Sequence, residues 1–135
     1  MALEKAIFDY TKEQVESVGN RVYAVAAPQV VASPYIVFTV ISNNFVNSIG
    51  GDSGLCEARV QFSVWGAEYE EVKPVVEKLK ATYRKYVEGD SSEKMKKQQW
   101  VQATILNNET DSYEDETRLY HTALDVIFWH VEEDE

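Results

Sequence analysis

Two hydrophobic periods meet in the middle of this chain, and together they decide its fold class. From Glu57 to Trp65, Ala58, Val60, Phe62 and Val64 alternate with Arg59, Gln61 and Ser63, the pattern of a half-buried strand. The period then changes. From Ala67 to Tyr86, Val72, Val75, Val76, Leu79, Tyr83 and Tyr86 form one helical stripe, with Lys73, Glu77, Lys80 and Arg84 facing away. Pro74 removes a backbone donor and crowds the preceding turn, so the spacing predicts a helix start near Val72 or a kink there.

The flanking segments extend the pattern. Leu3, Ala6, Ile7, Tyr10, Val15 and Val18 lie near helical spacing and predict a first helix, stopped at Gly19-Asn20. Arg21–Ala27 is short and apolar. Tyr35–Ile41 is dense in β-branched and aromatic residues with almost no alternation, which predicts a strand covered on both faces. Ser42–Cys56 reads as a long polar loop centred on Gly50–Gly54, the tip of a hairpin reaching away from the body. Trp100–Leu106 is a fourth strand, Asn107–Thr117 an acidic turn region, and Arg118–Val131 a long last strand. In that strand Leu124, Val126 and Phe128 share one face, and Ala123, Ile127 and Trp129 the other. The class is α+β: a mixed, mostly antiparallel sheet packed on two helices, as one domain over residues 1–135.

Charge narrows function. Thirteen Lys and Arg against 23 Asp and Glu leave −10, a poor balance for a chain that grips nucleic-acid phosphates. Cys56 is the sole cysteine, so an internal disulfide and a thiolate zinc cluster are both excluded. The first residues show no basic-then-apolar secretory pattern, and no apolar run approaches a membrane span, so a soluble, intracellularly made domain is expected.

No catalytic set assembles. Gly51-Asp52-Ser53-Gly54 looks like a serine-protease nucleophile loop, but the two histidines, His121 and His130, come late and stand on one strand with opposite faces. Turn chemistry accounts for the same four residues. Ser91-Ser92-Glu93-Lys94 lacks the companion motifs of acylating enzymes. The carboxylates from Asp111 to Glu116 lack calcium-loop spacing, and the glycines form no phosphate-binding loop. Lys94, Lys96 and Lys97 are too few for specific nucleic-acid recognition, and Trp65, Trp100 and Trp129 read as core or interface anchors. No enzyme, metal or cofactor is expected.

The order of segments carries more. Arg21-Val22-Tyr23, Ala27-Pro28, Pro34–Phe38 with Ile41-Ser42, Gly54-Leu55, Glu57–Trp65, Tyr69 and Tyr113–His121 form a series. It resembles the tail-completion or tail-terminator family of long-tailed bacteriophages, prophages and gene transfer agents. The resemblance covers nearly the whole chain; Glu57–Trp65 and Glu116–Tyr120 are its most specific parts. Pro74, the Glu88–Gln99 loop and the acidic tail depart from it.

That resemblance implies a virion protein at the head–tail junction, made in the host cytoplasm. Its subunits would form a homo-hexameric ring that caps the tail tube, ends tube polymerisation and joins the head connector. The partners implied are other copies of itself, the major tail tube protein and the head–tail connector or stopper, with DNA passing through unbound. A 135-residue globule has a radius of gyration of about 14 Å, and six such spheres in a touching ring leave a hole of roughly 36 Å. Six copies at −10 each would repel sliding phosphates within a Debye length of about 8 Å. Candidate lumen or rim charges are Asp111, Glu114, Asp115, Glu116, Glu132 and Glu133. The segment Asn47, Ser48, Ile49, Gly50, Gly51, Asp52, Ser53, Gly54 and Leu55 reads as an assembly arm or as a plain surface loop. The alternatives are a head–tail stopper or connector ring, a small hydrolase built on Ser53, and a ligand-binding α/β domain.

Overall fold

The computed structural model describes residues 2–19, 21–27, 32–48, 51–88 and 101–131. The order is α1 (Ala2–Gln14), a 3-10 turn (Glu16–Val18), β1 (Val22–Ala24), β2 (Tyr35–Ser48), β3 (Gly51–Gly66), α2 (Tyr69–Glu88), β4 (Val101–Glu114) and β5 (Leu119–Val131). One five-stranded sheet in the order β1-β2-β3-β5-β4 holds all the strands of the described residues. Only β1 and β2 pair in parallel; the other three pairings are antiparallel. The α+β class read from the sequence is the observed one.

The two hydrophobic periods build the core directly. Ala58, Val60, Phe62 and Val64 of β3 and Leu124, Val126 and Phe128 of β5 are buried on the face that the helices cover. Against them α2 lays Val72, Val75, Val76, Leu79 and Tyr83, and α1 lays Leu3, Ala6, Ile7 and Tyr10. The first helix ends sooner than Gly19 suggests: α1 stops at Gln14, and Val15 and Val18 are carried into the core by the 3-10 turn.

The second helix begins at Tyr69, three residues before Val72, and runs through Pro74. Its start is secured by Glu71, whose carboxylate accepts the backbone N–H of Ala67 at 2.9 Å and of Glu68 at 3.3 Å. This reaching back satisfies donors that a helix start leaves open, and it offsets the bond lost at Pro74. Gly66 lets the turn close, since a Cβ there would lie 2.7 Å from Val72 Cγ2.

Three expectations are corrected. Tyr35–Ile41 is covered on one face: Ile36 and Phe38 are buried, whereas Ile41 is 49% exposed on the helix-free side, because both helices pack on the other face. Ser42–Cys56 is no loop; β2 and β3 continue through it as a paired hairpin to Ser48 and Gly51. The region Asn107–Thr117 is mostly strand, with β4 running to Glu114 and the turn confined to 115–118. Asn, Ser, Gly and Asp rank low in strand propensity, but a paired backbone supplies what the side chains do not.

Candidate assembly interface

The β2–β3 hairpin outruns the rest of the sheet. Its last rung to β5 is Leu55↔Val131, while β2 and β3 go on pairing through Phe45↔Cys56, Asn47↔Asp52 and Ser48↔Gly51. Bulges at Val40/Ser42 and Phe45/Asn47 interrupt the ladder and increase the local twist of this arm. The arm is anchored at its base, where His130 Nε2 and Asn43 Oδ1 lie 3.0 Å apart. Beyond it Phe45 is 56% exposed. Of the candidate arm residues, Asn47, Ser48, Gly51, Asp52, Ser53, Gly54 and Leu55 are therefore strand residues; Ile49 and Gly50 lie outside the described residues.

Acidic residues gather at the opposite end of the sheet. Glu114, Asp115 and Glu116 are exposed where β4 turns into β5, and the turn closes with Arg118 at φ 57 donating its N–H to Glu114 O at 2.8 Å. The β3–β5 ladder between Leu55 and Gly66 separates them from the arm by roughly 36 Å at strand rise. Arm and acidic turn are thus two sites. Glu132, Glu133, Trp100 and the lysines Lys94, Lys96 and Lys97 lie outside the described residues.

Asp111 belongs to neither end. Thr122 Oγ1 donates to it at 2.7 Å, Lys73 Nζ sits 3.2 Å away, and the Tyr69 hydroxyl reaches it at 3.2 Å. Two residues earlier on the same face, Glu109 accepts from Lys73 at 3.0 Å and Lys80 at 2.8 Å. Lys73 and Lys80 therefore turn toward β4 instead of facing away, tying α2 to the edge of the sheet. Each pair keeps enough water contact (Glu109 27%, Asp111 43% exposed) to be worth about 0.2–1 kcal/mol.

The helix-free face carries a row across four strands: Tyr35, Trp65, His121 and Ser112 stand opposite one another in successive ladders. His121 stacks on Trp65 at 4.1 Å and 13°, its Nδ1 is 3.2 Å from Ser112 Oγ, and its buried Nε2 has no partner among the described residues. Burial pushes its pKa below the ordinary 6.5. Nearer the arm, Arg59 binds Asp125 at 2.6 Å and covers that carboxylate.

These groups set the pH dependence of folding. Hydrogen bonds from Lys80 and Lys73 hold Glu109 below its ordinary 4.5; those from Thr122 and Lys73 hold Asp111 below 3.8. A folded pKa below the unfolded one gives stability that is complete above the unfolded value and lost as pH falls. Lys73 and Lys80, both raised chiefly by Glu109, contribute below their ordinary 10.5 and lose that contribution as pH rises through the folded value. Urea midpoints should therefore decline first below pH 6.5, from His121, and again below 4.5. The His121→Phe variant should lose only the first decline; a profile unchanged by it would locate that titration elsewhere.

The serine-protease comparison meets a strand. Ser53 lies on β3 twelve positions before Trp65, the partner of His121, so about 40 Å separates their backbones. His130 pairs near the arm base, but its Nε2 meets Asn43. Among the described residues no three potential ligands come together to hold a metal. A hollow of about 350 Å3 beside Val25, Tyr35, Val37 and Trp65 is open to solvent, not a closed ligand cavity.

A family model described as "Tail completion protein gp17" matches residues 5–131, from the first turn of α1 to the last residue of β5. Among solved structures, a chain of the "Virion of native gene transfer agent (GTA) particle" is similar with a TM-score of 0.67 at 15% identity, over 98% of each chain. No curated protein matches.

Proposed function

Since the chain belongs to the Tail completion protein gp17 family, and is thereby a structural tail protein of the virion, we propose that it is the subunit of the ring that closes the tail. Six copies, each a single domain over residues 1–135, cap the tube of major tail protein, stop its growth and offer the head–tail connector a docking surface. DNA passes through the middle without specific contact. The observation that carries this reading is the extent of the family match, which runs from the first turn of α1 through every described strand and α2. The arm and the acidic turn, at opposite ends of the strands, supply two distinct axial surfaces, as a joint between tube and connector needs. Glu114, Asp115 and Glu116 on such a rim repel phosphate and favour sliding over sticking.

The test is electron microscopy of tails assembled with and without the protein. Tubes of variable, excessive length in its absence, and six-fold rings on tube ends in its presence, are expected. Normal tubes without it, combined with leakage of DNA from filled heads, would assign it to the stopper position and overturn termination.

A further inference from the structure

We propose that neighbouring copies are joined by strand addition: the free edge of β2 at Ile41–Phe45 pairs antiparallel with the free edge of β4 at Val101–Ile105 of the next copy. The inference rests on the ring reading and names the contact that closes the ring.

Among the described residues, two edges of the sheet are open. β1 covers β2 at Ile36–Phe38 and ends at Ala24, and the N–H of the next residue, Val25, bonds Phe38 O at 2.8 Å; among the described residues nothing pairs with that side of β2 from Ile41 onward. On the far side, among the described residues, β4 pairs with β5 alone. An open edge invites another strand, and natural chains guard it with charges or proline. Ile41–Ser48 contains neither, and Val101–Leu106 contains neither. The guard appears only higher on β4, where Glu109, Asp111 and Glu114 follow. Apolar exposure tells the same story. Of six exposed large hydrophobic residues among those described, Ile41 and Phe45 lie on one edge and Ile105 and Tyr113 on the other.

Symmetry supplies the register. Rotation about an axis along the strands keeps every residue at its height, and height can be read across the ladders. Ser42 stands opposite Arg59, Arg59 opposite Ile127, and Ile127 opposite Ile105. Phe45 similarly connects through Cys56 and His130 to Val101. The unguarded stretch of β2 is therefore level with the unguarded stretch of β4, and the charged stretch of β4 is level with the part of β2 that β1 covers. Faces agree as well: Ser42 and Ile105 share the helix-free face, Asn43 and Thr104 the helix face, as partners in a ladder must. Three antiparallel pairings separate β2 from β4, so rotation brings them together antiparallel, the stronger arrangement. Two different edges in contact make a heterologous interface, which generates rings when the rotation closes.

The experiment uses the full chain carrying Ser42→Cys and Ile105→Cys together, oxidised after assembly on tail tubes. Opposed residues in a ladder bring their Cβ atoms to about 4.5–5.5 Å, near enough to cross-link. Non-reducing gels should show a ladder of covalent species ending at six subunits, absent from either single variant; native Cys56 is buried and gives no background. Six-fold rings in the microscope without that ladder would overturn the pairing and leave the ring standing. No rings from the unaltered protein on tubes would overturn both. Ser42→Lys with Asn44→Lys, which guards the edge without touching the core, should cut ring formation at least tenfold. If that variant forms rings normally but fails to seat on tubes, the edge belongs to the tube protein and the inference is wrong.

Discussion

Replacing Phe62 by alanine is expected to cost about 3–5 kcal/mol of folding free energy. Phe62 is fully buried on the central β3, and its ring lies 5.2 Å from Tyr83, 6.2 Å from Phe38 and 6.4 Å from Phe128. It therefore joins β2, β3, β5 and α2 in one cluster. Tyr83 extends the cluster to α1, with its ring 5.8 Å from Tyr10 and its hydroxyl 2.7 Å from Thr11 Oγ1. Alanine at Phe62 leaves a void that all four elements border, and none can collapse into it without breaking a ladder. Against a total stability of about 5–15 kcal/mol, such a loss brings the subunit near unfolding. Urea denaturation should show a sharply lowered midpoint with an unchanged slope, and Phe62→Leu should recover most of it. A loss under about 1.5 kcal/mol would mean that the cluster repacks.

The second large effect is functional. Joining Phe45 directly to Cys56 by an Asn-Gly turn in place of residues 46–55 removes the arm at a cross-strand pair, where a two-residue loop fits the twist of the hairpin. The core cluster on the hairpin is Ile36 and Phe38, with Val40 packed against it, on β2 and Ala58 onward on β3, all outside the replaced stretch, so the unfolding midpoint should stay close to that of the full chain. Capping of tail tubes should fall at least tenfold if the arm is the surface that seats the ring. Tubes of normal length with the shortened protein would remove the arm from the interface and leave it a plain surface hairpin. The Asn43–His130 contact at the base is kept in this variant, which separates loss of the arm from loss of its anchor.

Much of this could be read from residues alone where one face was buried and the other wet. The alternation Ala58 to Val64 and the stripe Val72 to Tyr83 are both in the core as the periods require. The sequence failed where pairing replaced side-chain preference. Asn43, Asn44 and Asn47 sit in a strand because β3 holds their backbone, and Asp111 sits in one because Lys73 and Thr122 hold its carboxylate. It also failed at Tyr35–Ile41, where apolar residues on a helix-free face look identical to residues buried on both sides. The signal that could have exposed the α2–β4 tie was present: Glu109 and Asp111 fall two apart, hence on one face, opposite a helix with lysines two turns apart. Nothing in one dimension said that those elements meet.

Local order, the identity of the two helices and the inner faces of β3 and β5 were determined by the chain itself, because hydrophobic periodicity is a local property that water enforces on any amphipathic segment. The strand order, the sheet face and the two edges left uncovered among the described residues, and the level at which those edges stand, were decided only in the folded molecule. They depend on which backbones find each other across long separations, and a hydrogen-bonding edge looks the same in sequence whether a neighbour covers it or not.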